Sequence, residues 1–255
     1  MLDEAFAGIE ATIANTEKNL VNSRELFKVR LNKVFSDKGL QSKEGLSKLI
    51  EIKHGFAFKS AQFHASDDES QPIVLTPGNY GDDGELHFGR KNTKRLKDSP
   101  PEDFRFAAGD LTIVMTDLSP KMNILGKPAF VPTDNVLHNQ RIGRVLFKSD
   151  DLSPRYLYYF LMTDQASAEI KRTATGTMVR HTAPKRILGL DVPLPIDRSR
   201  QDFLVEYLDR AKQETSSLES SYQKKLAALI ELKQSLLQKA FSGELTAKQA
   251  EGAAA

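Results

Sequence analysis

Residues 201–242 constrain this chain more than any other stretch. Leu204, Leu208, Ala211, Thr215, Leu218, Tyr222, Lys225, Leu229, Leu232 and Leu236 follow one another in alternating steps of four and three. That spacing draws one stripe along an α-helix, and only Thr215 and Lys225 are polar on it. Pro193 and Pro195 precede the stretch and Gly243 follows it, the punctuation of a helix with defined ends. At about 1.5 Å per residue the helix extends on the order of 60 Å, too far for one small domain to cover, so a helical partner is expected.

Residues 2–36 repeat the design. They hold no Pro and one Gly, Gly8, and Phe6, Ile13, Leu20, Phe27 and Val34 fall seven apart. Leu2 and Ile9 open a second stripe that turns polar at Thr16 and Ser23. Ser36, Asp37, Lys38 and Gly39 supply the stop, with Gly39 expected just past the cap. The two helices also match residue for residue. Lys18, Leu20, Glu25, Leu26, Leu31, Lys33, Phe35 and Ser36 align with Lys224, Leu226, Glu231, Leu232, Leu237, Lys239, Phe241 and Ser242. Leu2, Asp3 and Ala5 align with Leu208, Asp209 and Ala211. The shared ending Leu-x-Lys-x-Phe-Ser marks an internal repeat with a period of about 200 residues, whose unit is one domain plus one helix.

Residues 40–200 differ in kind. They hold all five His and most of the Pro and Gly. Pro72–Thr76, Leu111–Thr116, Ala129–Val131 and Arg144–Phe147 read as strands bounded by turn residues, and Gly78–Gly84 and Lys121–Gly126 as loops. Pro154–Arg172 reads as one helix, with Ser153 as N-cap and Pro154 at the first position. The expected fold class is α+β: one mixed globular domain at 40–197, flanked by coiled-coil-forming α-helices at 1–38 and 198–243, with a flexible tail at 244–255.

A chain of 255 residues, 40% hydrophobic, has room for one sizeable domain and additional elements. The net charge of +2 announces no polyanion partner, so any such signal has to be local. Without cysteine there are no disulfides and no Cys-based metal sites, which fits a reducing cytoplasm. No apolar run approaches the roughly 18 residues of a membrane span, and Met1–Glu10 lacks the pattern of a signal peptide. Phosphate-loop, Gly-x-Ser-x-Gly and His-Glu-x-x-His signatures are absent, and the five His show no metal-ligand spacing. No catalytic site, metal or cofactor is expected.

Two basic clusters supply the local signal. Arg90, Lys91, Lys94, Arg95 and Lys97 place five cations in eight residues. Lys171, Arg172, Arg180, Lys185 and Arg186 lie in a stretch, 171–190, with no acidic residue. Within it sits the hydroxyl-rich Thr173-Ala174-Thr175-Gly176-Thr177. Cations hold a protein on phosphates, while Arg, Thr and Ser also reach base edges. A solvated charged surface is the competing reading of each cluster. Phe56 and Phe58 in Gly55–Lys59 read as bases' stacking partners or, more simply, as core. His138-Asn139-Gln140-Arg141 reads as a functional cluster or as a buried polar network that braces a loop.

These pieces together resemble the specificity subunit of type I restriction-modification systems. The strongest resemblance is Leu232–Leu245, similar to that family's terminal conserved helix. Gly55–Lys59 with Phe63, and Leu75-Thr76-Pro77-Gly78-Asn79, resemble the opening of its target recognition domains. Gly109-Asp110-Leu111, Met115–Ser119 and Leu137–Gly143 resemble the middle, and Gly176–His181 followed by Val192–Pro195 the end. One departure stands out: the family's subunit carries two recognition domains and two helical regions, whereas this chain has one recognition domain between two helices, a half-length form.

The resemblance implies a non-catalytic subunit that reads double-stranded DNA while methyltransferase and restriction subunits act. Two copies are expected to pair their helices antiparallel, through Phe6, Ile13, Leu20, Phe27, Leu208, Leu218, Tyr222, Leu229 and Leu236, and to read a bipartite target. Base readout is expected from Thr175, Gly176, Thr177, Arg180 and His181, with Arg180 and His181 foremost. Phosphate contact is expected from Lys59, Arg90, Lys91, Lys94, Lys121 and Lys185. The alternative is a coiled-coil adaptor whose globular domain binds protein; a stand-alone nuclease or methyltransferase is a further one.

Overall fold

The computed structural model describes residues 2–37, 39, 42–66, 68–97, 102–195 and 197–242. Lys38, Gly243 and the tail expected at 244–255 lie outside the described residues. The chain opens on α1 (Leu2–Ser36), β1 (Ser42–Gly45), α2 (Leu46–Leu49), β2 (Ile50–His54), β3 (Phe63–His64), β4 (Ile73–Val74) and β5 (Arg95–Leu96). It continues through β6 (Arg105–Phe106), β7 (Leu111–Val114), β8 (Thr116–Asp117), β9 (Pro128–Phe130), β10 (Val136–Leu137) and β11 (Ile142–Phe147). It closes on α3 (Pro154–Leu161), α4 (Asp164–Arg172), β12 (Arg180–His181), α5 (Pro184–Leu188), β13 (Asp191–Leu194) and α6 (Arg198–Phe241). Two compact units result, residues 1–30 with 207–255 and residues 31–206. The second takes in the end of α1 and the start of α6.

In the helical unit α1 and α6 run antiparallel. Glu10 pairs with Lys233 (2.8 Å), Arg24 with Glu219 (2.9 Å) and Arg30 with Glu214 (3.0 Å), so partner numbers fall as α1 advances. Such exposed pairs contribute little stability, but they fix the register. On α1 the inward stripe is Phe6, Ile9, Ile13, Thr16, Leu20, Ser23 and Phe27, in alternating steps of three and four. Its small members are the best covered: Thr16 is 2% and Ser23 5% exposed, while the large apolar members are half-buried. A two-helix layer closes over small side chains more completely than over large ones. The antiparallel pairing expected between two copies is thus made within one chain.

The α6 seam departs from its expected course. Leu208, Ala211 and Thr215 are buried as expected, and Tyr222, Leu229 and Leu236 are half-buried. Leu218 and Leu232, however, are 42% and 46% exposed, and Lys225 is exposed as well. Leu226 and Lys233 face inward in place of Lys225 and Leu232. Glu219 likewise takes the inward place of Leu218, so two consecutive steps of four, 211–215–219, shift the stripe by one residue, which is a stutter. It turns the Lys225 ammonium out of the seam, the cost that an unbroken heptad would have carried.

The globular unit is built on two larger sheets. One is antiparallel in the order β2-β11-β7-β9; the other, β3-β5-β4-β10-β6, pairs β4 with β10 in parallel. Leu75, Tyr80, Phe106, Val114, Ala129, Val131, Val136 and Ile142 form one core cluster, and Phe58, Val74, Leu96 and Leu137 another. The expected strand at 72–76 is reduced to β4, and that at 111–116 breaks at Met115 into β7 and β8. The expected single helix at 154–172 breaks after Leu161. Thr163 restarts it as an N-cap, its Oγ1 accepting from the Ala166 N–H at 3.2 Å. Ser153 caps nothing with its side chain; its N–H donates instead to Gln201 Oε1 at 2.9 Å. Gly39 is not left-handed either. Helix α1 stops because Asp37 Oδ1 accepts from the Gly39 N–H at 3.0 Å, closing an Asx turn.

Candidate nucleic-acid interface

The acid-free stretch folds into a closed hairpin. Thr175 and His181 exchange both backbone hydrogen bonds at 2.9 Å. Between them Gly176 takes a φ of +91°, and a Cβ there would meet the Val179 carbonyl oxygen at 2.0 Å, so the turn requires glycine. Arg180 folds back, its Nη1 donating to the Gly176 carbonyl at 2.7 Å. Arg186 Nη1 reaches Thr175 Oγ1 at 3.2 Å from the neighbouring α5. Thr175, Gly176, Thr177, Met178 and Val179 stay exposed around the tip.

A second loop is fastened to this hairpin. Strand β12 pairs antiparallel with β8, Arg180 opposite Asp117 and His181 opposite Thr116. The Thr116 hydroxyl and His181 Nδ1 lie 3.0 Å apart. Asp117 is 2% exposed and accepts from the N–H groups of Ser119 (2.7 Å) and Ile124 (2.9 Å). Its carboxylate therefore organises the loop that carries Leu118 and Lys121. The β8–β12 pairing fastens the hairpin to the loop that carries Lys121, and the Arg186–Thr175 bond fastens it to α5, which carries Lys185.

The remaining expected contacts lie on the other sheet. Lys59 precedes β3, while Arg90, Lys91 and Lys94 lead into β5, and β3 pairs with β5. Lys59, Arg90 and Lys91 are exposed and Lys94 is half-buried. Arg95 serves the fold: its Nη1 donates to the Gln71 carbonyl at 2.7 Å.

The family-like motifs resolve into bracing. Asn79, 1% exposed, accepts from the Thr76 N–H (2.9 Å) and the Thr76 hydroxyl (2.8 Å) and donates to the His87 and Asn92 carbonyls. Gly109 turns with φ +89°, and Asp110 pairs with Arg144 at 2.9 Å. A Cβ on Gly55 would lie 2.4 Å from the backbone of His138 and Asn139, against which the segment packs. Phe58 is core, and Phe56 packs on Phe58 and Phe104. His138 is buried with Nε2 at 2.8 Å from the Ile142 carbonyl, and burial holds its imidazolium pKa down to about 4. Asn139 Oδ1 accepts from the Arg141 N–H. Of the two readings of 138–141, the bracing network is the one formed.

Met178 and Leu118 escaped the sequence reading, because an apolar side chain is taken for core by default. They are 75% and 61% exposed. The available signal was Met178's place between Gly176 and Arg180, in a turn too short to bury it. Among the described residues no group of three His, Asp or Glu is arranged to hold a metal, and no helix is long and apolar enough to cross a membrane.

No protein-family model matches the chain. Over 56 residues, 22% of this chain and 13% of the relative, it is 32% identical to the type I restriction enzyme MjaVIII specificity subunit of Methanocaldococcus jannaschii. Among solved structures it is similar to a chain from the assembly and conformational transition of a type I restriction-modification system. That match has TM-score 0.72 and 18% identity and covers 94% of this chain and 57% of the other. The HsdS subunit of Thermoanaerobacter tengcongensis matches with TM-score 0.60 and 18% identity over 95% of this chain and 56% of that one. The type I S subunit of M. genitalium matches with TM-score 0.54 and 14% identity, over 93% and 59%. The chain therefore spans between half and two thirds of the length of these structures, and a much smaller share of the curated relative. The fold of this chain is therefore similar to that of type I restriction-modification S subunits, and one 56-residue stretch of its sequence is similar to a type I restriction enzyme specificity subunit.

Proposed function

We propose that this chain is the sequence-reading, non-catalytic component of a type I restriction-modification complex. The observation that carries the reading is the acid-free stretch 171–190, closed into a hairpin and fastened beside the Lys121 loop. In this reading Lys121 and Lys185, with Lys59, Arg90, Lys91 and Lys94 from the other sheet, rest on phosphates. The 175–181 hairpin faces the bases. Arg180 and His181, both engaged in holding the hairpin, act at the bases through the shape they give it as much as by direct contact. Methyl transfer and ATP-driven translocation and cleavage belong to methyltransferase and restriction subunits, which the chain recruits to its target.

A second copy supplies the second reader of a bipartite site. Because the heptad seams meet within each chain, the contact between copies uses what the helices leave exposed, including Leu218, Leu232 and Phe241. Phe241 supports this most. Its repeat counterpart Phe35 is 4% exposed and packs on Tyr156 (4.9 Å) and Phe160 (5.7 Å), whereas Phe241 is 88% exposed. Identical readers related by a two-fold axis predict an interrupted palindrome as target.

The test is a salt titration of binding to random-sequence duplex DNA. Affinity is expected to fall steeply with salt, and Lys121→Ala and Lys185→Ala each to lower the slope of log K against log salt by about 1. Binding that ignores salt, or no binding, sinks the proposal in favour of a protein-binding adaptor.

A further inference from the structure

We infer that Met178, supported by Leu118, reads the 5-methyl group of thymine in the major groove; this rests on the DNA-reading role proposed above. Met178 is 75% exposed at the hairpin tip and Leu118 is 61% exposed on the adjoining loop. In the β8–β12 register the next residues beyond the paired Asp117 and Arg180 are Leu118 and Val179, and Val179 is 37% exposed. Three exposed apolar side chains thus lie on or beside the acid-free, cationic stretch 171–190, where water contact costs each of them.

The surroundings select the occupant. Residues 171–190 contain no carboxylate, Asp117 is buried and spent on the loop backbone, and Glu169 is paired with Arg172. A polyanion suits that field. Within DNA, the apolar group presented at a base edge is the thymine methyl, exposed in a major groove wide enough for a two-stranded ribbon. The β8–β12 pair, with the hairpin tip at its end, is such a ribbon. The Thr175–His181 bonds, the Arg180–Gly176 bond and the His181–Thr116 contact hold its tip in place, so little conformational freedom is lost when it enters the groove. Arg180 and His181, which the sequence puts forward as readers, brace the tip, and Met178 is what the brace presents.

The experiment selects duplexes from a random-sequence pool with the full chain. The enriched duplex is then titrated in two forms, made with thymine and with uracil. The wild-type chain is expected to bind the uracil form about fourfold more weakly for each half-site, the effect of one buried methyl group. Met178→Ser should bind both forms equally, at the level of the wild-type chain on uracil, while Met178→Leu keeps the preference. Leu118→Ser should reduce the preference without abolishing selection. Circular dichroism confirms that each variant is folded. Equal affinity of the wild-type chain for the two forms, or an enriched duplex with no required thymine, overturns this inference and leaves the DNA-reading role standing. Failure to enrich any sequence overturns both.

Discussion

At the scale of single residues the globular unit is held by polar side chains that each organise several backbone groups. Asn79 and Asp117 do this for the loops they begin, and Asp110 spans from its own turn to Arg144. His138 adds a pH dependence. Burial holds its imidazolium pKa down to about 4, with the nearby charges of Arg144 and His54 pushing the same way. An unfolded histidine titrates near 6.5. Below that value the unfolded chain takes up a proton that the folded chain does not, so this contribution is complete above pH ~6.5 and is lost as pH falls toward 4. Urea denaturation should register a loss on the order of 2–3 kcal/mol across that window. His138→Gln, which retains a donor for the Ile142 carbonyl, should flatten it; an unchanged slope would contradict the assignment. The residue types at these sites were visible in the sequence. Their partners were not, because Asp110 and Arg144, or Thr116 and His181, are joined by folding across a sequence distance that no local pattern reports.

At the scale of elements, periodicity made both long helices legible, while the antiparallel pairing expected between two copies is found between α1 and α6 of one chain. It failed where a local signal was weaker than a tertiary one. The stripe through Leu218, Lys225 and Leu232 continues the heptad on paper, yet a stutter at Thr215 keeps the Lys225 charge in water and leaves the two leucines on the flank. The break at Met162 in the expected 154–172 helix lies in a run without Gly or Pro, and only Thr163 as a cap hints at it. In the seam, Thr215 is 5% exposed and its hydroxyl oxygen is buried without a hydrogen-bond partner. Thr215→Val removes that unsatisfied group at nearly constant shape and should stabilise the chain by about 1 kcal/mol in thermal or chemical unfolding. Lys225→Leu, on the exposed side, should give no comparable gain. A destabilised Thr215→Val would show that the hydroxyl is satisfied in solution.

At the scale of the whole molecule, the internal repeat read from Leu31–Ser36 and Leu237–Ser242 has acquired a physical meaning. One copy of the ending is packed and the other is exposed: Phe35 sits on Tyr156 and Phe160, whereas Phe241 is 88% exposed among the described residues. The sequence showed the equivalence but could not show that the heptad faces satisfy each other within the chain, since a stripe does not name its partner. In the proposed dimer, association between copies therefore uses the flanks and the α6 ending. Sedimentation should show a dimer for the native chain and a folded monomer for the double substitution Leu218→Glu, Leu232→Glu; a dimer in both would exclude that flank. The central claim, that the hairpin and its neighbouring loop read DNA sequence, is tested most directly by sequencing the duplexes that the chain retains from a random pool. The account predicts enrichment of one short motif, repeated in inverted orientation across a fixed gap. A retained pool as random as the starting one would contradict it.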